Sequence, residues 1–240
     1  MIVTQHGVIR IGTQTVPKTL ARPRHFHVDG QAEVCLLGSF VEPTFAGRLP
    51  VSPGDVLIHR RFHCHAARGT GSREIVLLTL AWDDATIEGR FRVADPDFLA
   101  RLARKDAREA SEYLVGAIDS VSTPHHDWID ILARELRQNL SLSLGDWAEE
   151  QGLRRETISR GFKSVFGVSP QRFALELRAR QAWWKVYNSP QSLTEIAHEF
   201  GFADLPHLSR SIRALTGRTP TYWRSRRVGF DLGTDEIHDR

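Results

Sequence analysis

Cysteine is scarce in this chain of 240 residues: Cys35 and Cys64 are the only two. That leaves no disulfide framework and fits a reducing compartment, where small buried thiols are ordinary. No apolar run approaches the length of a membrane span, and no charged-then-apolar leader opens the chain. The expected location is therefore cytoplasmic, with no membrane partner. Catalytic signatures are missing too: no Ser-His-Asp set, phosphate-cradling loop or zinc-finger spacing is legible. Charge of one sign is not dominant either, with 32 Lys and Arg against 29 Asp and Glu, a net +3.

That modest balance hides an uneven distribution. Residues 127–227 carry a net +5, residues 1–126 a net +1, and the last thirteen residues a net −3. The basic excess thus sits on one segment, as a phosphate-facing surface requires. The length is enough for two domains, each with its own core.

What the chain does have is a stretch that nearly says the same thing twice. Leu144, Trp147, Ala148, Gly152 and Leu153 match Leu193, Ile196, Ala197, Gly201 and Phe202 at an offset of 49. Past the glycine the offset becomes 50: Ile158 pairs with Leu208, Arg160 with Arg210, Phe162 with Ile212, Gly167 with Gly217 and Pro170 with Pro220. Two tandem copies of one small unit follow, each with the spacing of a helix-turn-helix. In each, a short apolar-edged helix meets a glycine turn, and a second helix packs down through residues four apart, such as Ile158 and Phe162. Asp204 is placed to cap the second copy's longer helix, and Pro206 is tolerable in its first turn.

These residues resemble the DNA-binding domain of the AraC/XylS family of bacterial transcription regulators. The likeness runs over about 100 residues, roughly 127 to 227, through Ile158, Arg160, Phe162, Gly167, Pro170 and Phe173, then Ile196, Gly201, Asp204, Arg210, Pro220 and Trp223. The family usually has small hydroxyl residues where Arg154 and Pro206 stand, which alters cap details. The resemblance implies double-stranded DNA as the partner, read by recognition helices in the major groove. The contact positions it implies are Arg155, Glu156, Ser159, Arg160 and Lys163 in the first unit, and Leu205, Pro206, His207, Arg210 and Arg224 in the second. Residues 171–187 should form the helix linking the copies.

Residues 1–85 read as short strands punctuated by Gly and Pro, an antiparallel barrel or sandwich. This segment resembles the cupin-like sensor domain often found before such a DNA-binding domain. Five of the eleven histidines lie between positions 25 and 65. His25 and His27 are two apart and face one way on a strand, as do His63 and His65. With Glu33 they are candidates for a divalent-metal site (His25, His27, Glu33 and His63 above all), for the polar lining of an effector pocket, or for plain structural roles. Against a metal, five residues separate His27 from Glu33, where metal-binding cupins have three or four.

Phe98, Leu99, Leu102, Tyr113 and Leu114 recur at helical spacing, so residues 86–122 are expected to be a helical connector, packing on the barrel or forming a dimer contact. Residues 123–229 form the double helix-turn-helix domain and 230–240 a tail. The expected fold class is α+β: a cupin-like antiparallel barrel, helices, then an all-α DNA-binding domain. The expected function is a transcription regulator controlled by a small-molecule effector, with RNA polymerase and a second copy of the chain as candidate partners. The alternative is a cupin-type metalloenzyme fused to a DNA-binding domain.

Overall fold

A computed structural model describes residues 10–84, 86–122 and 127–226. The first nine residues of the expected strand region 1–85, the start of the expected helix-turn-helix domain at 123–126 and the whole expected tail 230–240 lie outside the described residues. The described chain forms two compact units, one ending at Leu177 and one beginning at Arg178.

The first unit is built on two antiparallel sheets. Its strands are β1 (Gly12–Val16), β2 (Ala21–Phe26), β3 (Gln31–Leu37), β4 (Phe40–Thr44), β5 (Gly47–Val51), β6 (Asp55–His59), β7 (Cys64–Gly69), β8 (Ile75–Ala81), β9 (Gly89–Val93) and β10 (Ile118–Ser120). One sheet runs β1-β8-β3-β6-β9-β10 and the other β2-β7-β4-β5. The expected antiparallel β-domain is therefore present. The stretch 86–122 is not helical throughout: β9 and β10 extend one edge of the larger sheet, flanking helices α1 (Pro96–Lys105) and α2 (Ala107–Ala117).

Strand alternation assigns the layers. Ala32, Val34, Val56, Ile58, Leu78 and Leu80 face outward from the larger sheet and bury Leu99, Ala110 and Leu114 of α1 and α2. The intervening Cys35, Leu57, Ile75 and Leu77 face inward and meet Phe40, Leu49, Val51 and Ala67 of the smaller sheet. Each such large side chain stabilises the fold by about 1.5–3 kcal/mol on burial. Asp106 closes α1 and opens α2, its carboxylate accepting from the backbone N–H groups of Arg108 and Glu109. Along β2, one extra residue between Arg22 and His25 relative to β7 makes a bulge, after which His25 stands opposite His65.

Four helices complete the first unit's side of the chain: α3 (Trp128–Gln138), α4 (Leu144–Glu150), α5 (Arg155–Phe166) and the start of α6 (Pro170–Asn188). Phe162, Phe166 and Phe173 form their aromatic core, with ring centroids 4.5–5.1 Å apart. The second unit holds the rest of α6 with α7 (Leu193–Glu199), α8 (Leu205–Thr216) and α9 (Pro220–Ser225). Trp183 and Trp223 meet edge to face at its centre, 5.6 Å apart, while the Trp223 indole N–H donates to Thr216.

Candidate nucleic-acid interface and buried histidine cluster

Helices α4 and α5 are joined at Gly152, whose φ of 62° is the left-handed conformation that favours glycine. Trp147 and Ala148 are buried on α4, and Ile158 and Phe162 on α5. That packing leaves Arg155, Glu156, Ser159, Arg160 and Lys163 exposed on one helix. Arg154 occupies the N-cap of α5 without a side-chain hydrogen bond, as a residue with no acceptor must.

The second unit repeats the design with better caps. Ser192 and Glu195 make a reciprocal capping box at α7. Gly201, at φ 67°, makes the turn, and the Asp204 carboxylate accepts from the backbone N–H of His207 at 2.6 Å. Ile196, Ala197, Phe202, Leu208 and Ile212 are buried beneath. Pro206 and Arg210 are exposed, Leu205 and His207 half-buried, and the His207 ring meets Phe202 edge to face at 5.2 Å. Arg224 is half-buried as well, with Nε and one terminal nitrogen enclosed. Sequence reasoning passed over the exposed Arg213 and Arg218, which add positive charge to this unit.

Between the two sheets lies a cluster of imidazoles. His25, His27, His59, His63 and His65 are each 7 % exposed or less. The His65 ring lies 4.4 Å from those of His25 and His59 and 5.3 Å from His27. Burial lowers the His25 pKa below the usual range; burial and then the four neighbouring histidines drive that of His65 well below it. Of the residues picked from sequence, His25, His27 and His65 come together as one group within ligand-atom spacings of 4.8 Å. His63 is drawn aside: its Nδ1 bonds the Glu88 carboxylate, and its ring packs against Phe45.

Glu33 is fully enclosed in the same interior, its pKa raised by burial and then by Glu42. Two members of the cluster were missed in the sequence. Glu42 on β4 accepts from or shares a proton with His59 Nε2 at 2.7 Å, and burial pushes its pKa up to about 8. Glu42, His59 and His65 form a second group within 4.8 Å. A regular alternation along β6 would have flagged His59, but all five of its residues are buried.

The outer face of the smaller sheet carries the first helix-turn-helix unit. Arg24 pairs with Glu176 of α6 at 2.9 Å, with the two side chains only 2 % and 4 % exposed. The two terminal nitrogens of Arg24 make no hydrogen bond among the described residues; the guanidinium lies over Phe45 and Phe173, 5.0 and 5.2 Å from their centroids. Arg48 of β5 bonds Asp130 at 2.8 Å and Asp127 at 2.6 Å, and Arg68 of β7 donates to the Ser164 carbonyl at 2.7 Å. These contacts hold α3, α5 and α6 while the exposed residues of α5 stay clear.

Residues 147–226 match the family model described as a helix-turn-helix domain. The transcriptional regulator ExsA of Pseudomonas aeruginosa is 31 % identical over 108 residues, covering 45 % of this chain and 38 % of its own. The transcriptional activator RhaS of Pectobacterium carotovorum is 31 % identical over 137 residues, covering 51 % and 49 %. The chain therefore spans about half the length, or less, of the curated relatives it matches. Among solved structures, ToxT of Vibrio cholerae is 10 % identical with a TM-score of 0.43, covering 89 % of this chain and 98 % of its own. An AraC-type regulator from Chromobacterium violaceum is 28 % identical with a TM-score of 0.38, covering 42 % and 91 %.

Proposed function

We propose that this chain, which carries a helix-turn-helix domain of the AraC type over residues 147–226, is a sequence-specific DNA-binding transcription regulator whose signal enters between its two sheets. The observation that carries this is the pair of like helices, α5 and α8, each setting polar and basic side chains on a buried apolar base. On α5, Arg155, Glu156 and Ser159 read base edges, and Arg160 and Lys163 reach phosphates. On α8, Leu205, Pro206, His207 and Arg210 face the groove. Pro206 has no N–H to donate, so it reads shape or a thymine methyl. Arg224 contributes a phosphate contact only through its exposed part.

No helix among the described residues is long and apolar enough to cross a membrane. A regulator of this kind works on cytoplasmic DNA beside RNA polymerase and has no enzymatic step; relatives named as regulators and activators support that over a fused metalloenzyme. A second copy is the proposed partner of α1 and α2, where Phe98 and Tyr113 form an exposed aromatic pair 5.2 Å apart. The sensor function falls to the interior histidines with Glu33 and Glu42.

Selection of bound sequences from a random or genomic pool, followed by footprinting, tests the central claim. The expected outcome is one motif with two protected patches per chain, one of which disappears on deletion of residues 193–227. Binding with no sequence preference, or a footprint unchanged by that deletion, would overturn it.

A further inference from the structure

We infer that the space between the two sheets binds one divalent first-row transition-metal ion, with Glu42, His59 and His65 as its ligands. One ligand atom from each lies within 4.8 Å of the others, and all three residues are buried. They come from three strands and both sheets: Glu42 on β4 and His65 on β7 of the smaller sheet, His59 on β6 of the larger. Metal–ligand bonds of about 2.0–2.2 Å require the long edges of that triangle to close, while the 2.7 Å Glu42–His59 hydrogen bond gives way to the ion.

The other group with suitable spacing, His25, His27 and His65, is the weaker choice on grounds of charge. Three neutral imidazoles can hold zinc but bring no negative charge into its own shell, the costlier arrangement for a buried dication. Glu42 supplies the missing negative charge. Only 1 % of it is exposed, and its Oε2 has no hydrogen-bond partner among the described residues. Two imidazoles with one carboxylate suit zinc, nickel, cobalt or iron, not the all-oxygen preference of magnesium or calcium. An organic effector fits this spot poorly, because ring centroids 4.4 Å apart are already in contact.

The position of the ion gives it a route to the DNA-binding half, a part of the inference that rests on the proposed regulator function. Glu42 lies three residues before Phe45, whose ring packs on Phe173 of α6 at 5.1 Å. His65 stands opposite His25, the neighbour in sequence of Arg24, which pairs with Glu176. An ion that draws the sheets together pulls on the strands that hold the first helix-turn-helix unit.

The probe is Zn2+ added to the full chain after chelator stripping and desalting, read by metal content and by melting temperature. The expected result is about one equivalent retained and a Tm raised by several degrees, both reversed by chelator. Glu42→Gln and His59→Gln should each weaken Zn2+ binding tenfold or more, since even groups that only orient a ligand cost 10–100-fold. The double variant His25→Gln with His27→Gln should keep its equivalent. Failure of the unmodified chain to retain zinc overturns the inference, whatever the variants do. So does loss of zinc in the His25/His27 variant with retention in Glu42→Gln, which would move the ion to the other triad. A chain that binds its selected DNA without ever holding zinc would sink the ion site alone; one that holds zinc and binds no DNA would sink the regulator function alone.

Discussion

Replacing Arg24 by Met should destabilise the first compact unit by about 3 kcal/mol. Removing one partner of a buried ion pair costs about 3–5 kcal/mol, because the other charge stays enclosed. Here Glu176 keeps a second partner, Arg172, at 3.0 Å, which argues for the low end. The Met side chain also preserves contact with Phe45 and Phe173, limiting the loss to the cation–π attraction itself, about 1 kcal/mol. At roughly 2–4 °C per kcal/mol for a unit of this size, Tm should fall by about 6–12 °C. Adding Glu176→Leu removes the stranded carboxylate, so the double variant should return to within about 1 kcal/mol of the parent. Glu176→Leu alone strands the buried Arg24 guanidinium and should also cost about 3 kcal/mol, so urea and thermal unfolding of the four chains should yield a coupling of about 5 kcal/mol. A coupling below about 1 kcal/mol, the range of solvent-exposed pairs, would refute the claim that this contact is sealed from water.

Other perturbations probe the two helix-turn-helix units and the helices on the larger sheet. His207→Ala should relax preference at one or two base pairs by about 1–3 kcal/mol each, read by repeating the sequence selection; an unchanged motif would remove His207 from the reading surface. Lys163→Ala should weaken all sequences alike and lower the salt slope of binding by about 1, which a salt titration measures. Asp204→Ala should cost about 1 kcal/mol through the lost α8 cap, seen as faster amide exchange at the start of that helix. Gly152→Ala should cost about 1 kcal/mol from backbone strain alone, since a Cβ there meets nothing within 4 Å; a neutral result in thermal unfolding would contradict the left-handed turn. Sedimentation of Phe98→Ser with Tyr113→Ser should give a monomer if α1 and α2 carry the dimer contact, and an unshifted dimer would exclude it.

The tandem units were legible because their determinants are local. Gly152 and Ile158, or Gly201 and Leu208, act within one or two turns of helix, so spacing alone conveys them. The β-domain was legible in class but not in layering. β9 and β10 are short strands on either side of a helical hairpin, and only pairing across 25 residues or more, as between Val93 and Ile118, gives them a place. The interior cluster was half legible. His25 and His27 announce themselves by period two, whereas Glu42 joins His59 across the sheets with no periodic mark on β4 or β6. Arg24 and Glu176 are 152 positions apart, and nothing in either neighbourhood signals the other.

The single extra residue in β2 sets a phase. Beyond it, consecutive side chains serve different masters: Arg24 is committed to the helices outside the sheet, His25 to the cluster within. Residues committed to the interior cluster and residues committed to the helices outside are thus interleaved on one strand, and each set can drift by point substitution without disturbing the other. The bulge also takes up a change of chain length: three steps run from Arg22 to His25 against two from Ala67 to His65, so deleting the one residue in excess would give regular pairing and leave His25 opposite His65. An insertion beyond His25 has no such slack, and would turn the side chains after it to the opposite face of the sheet.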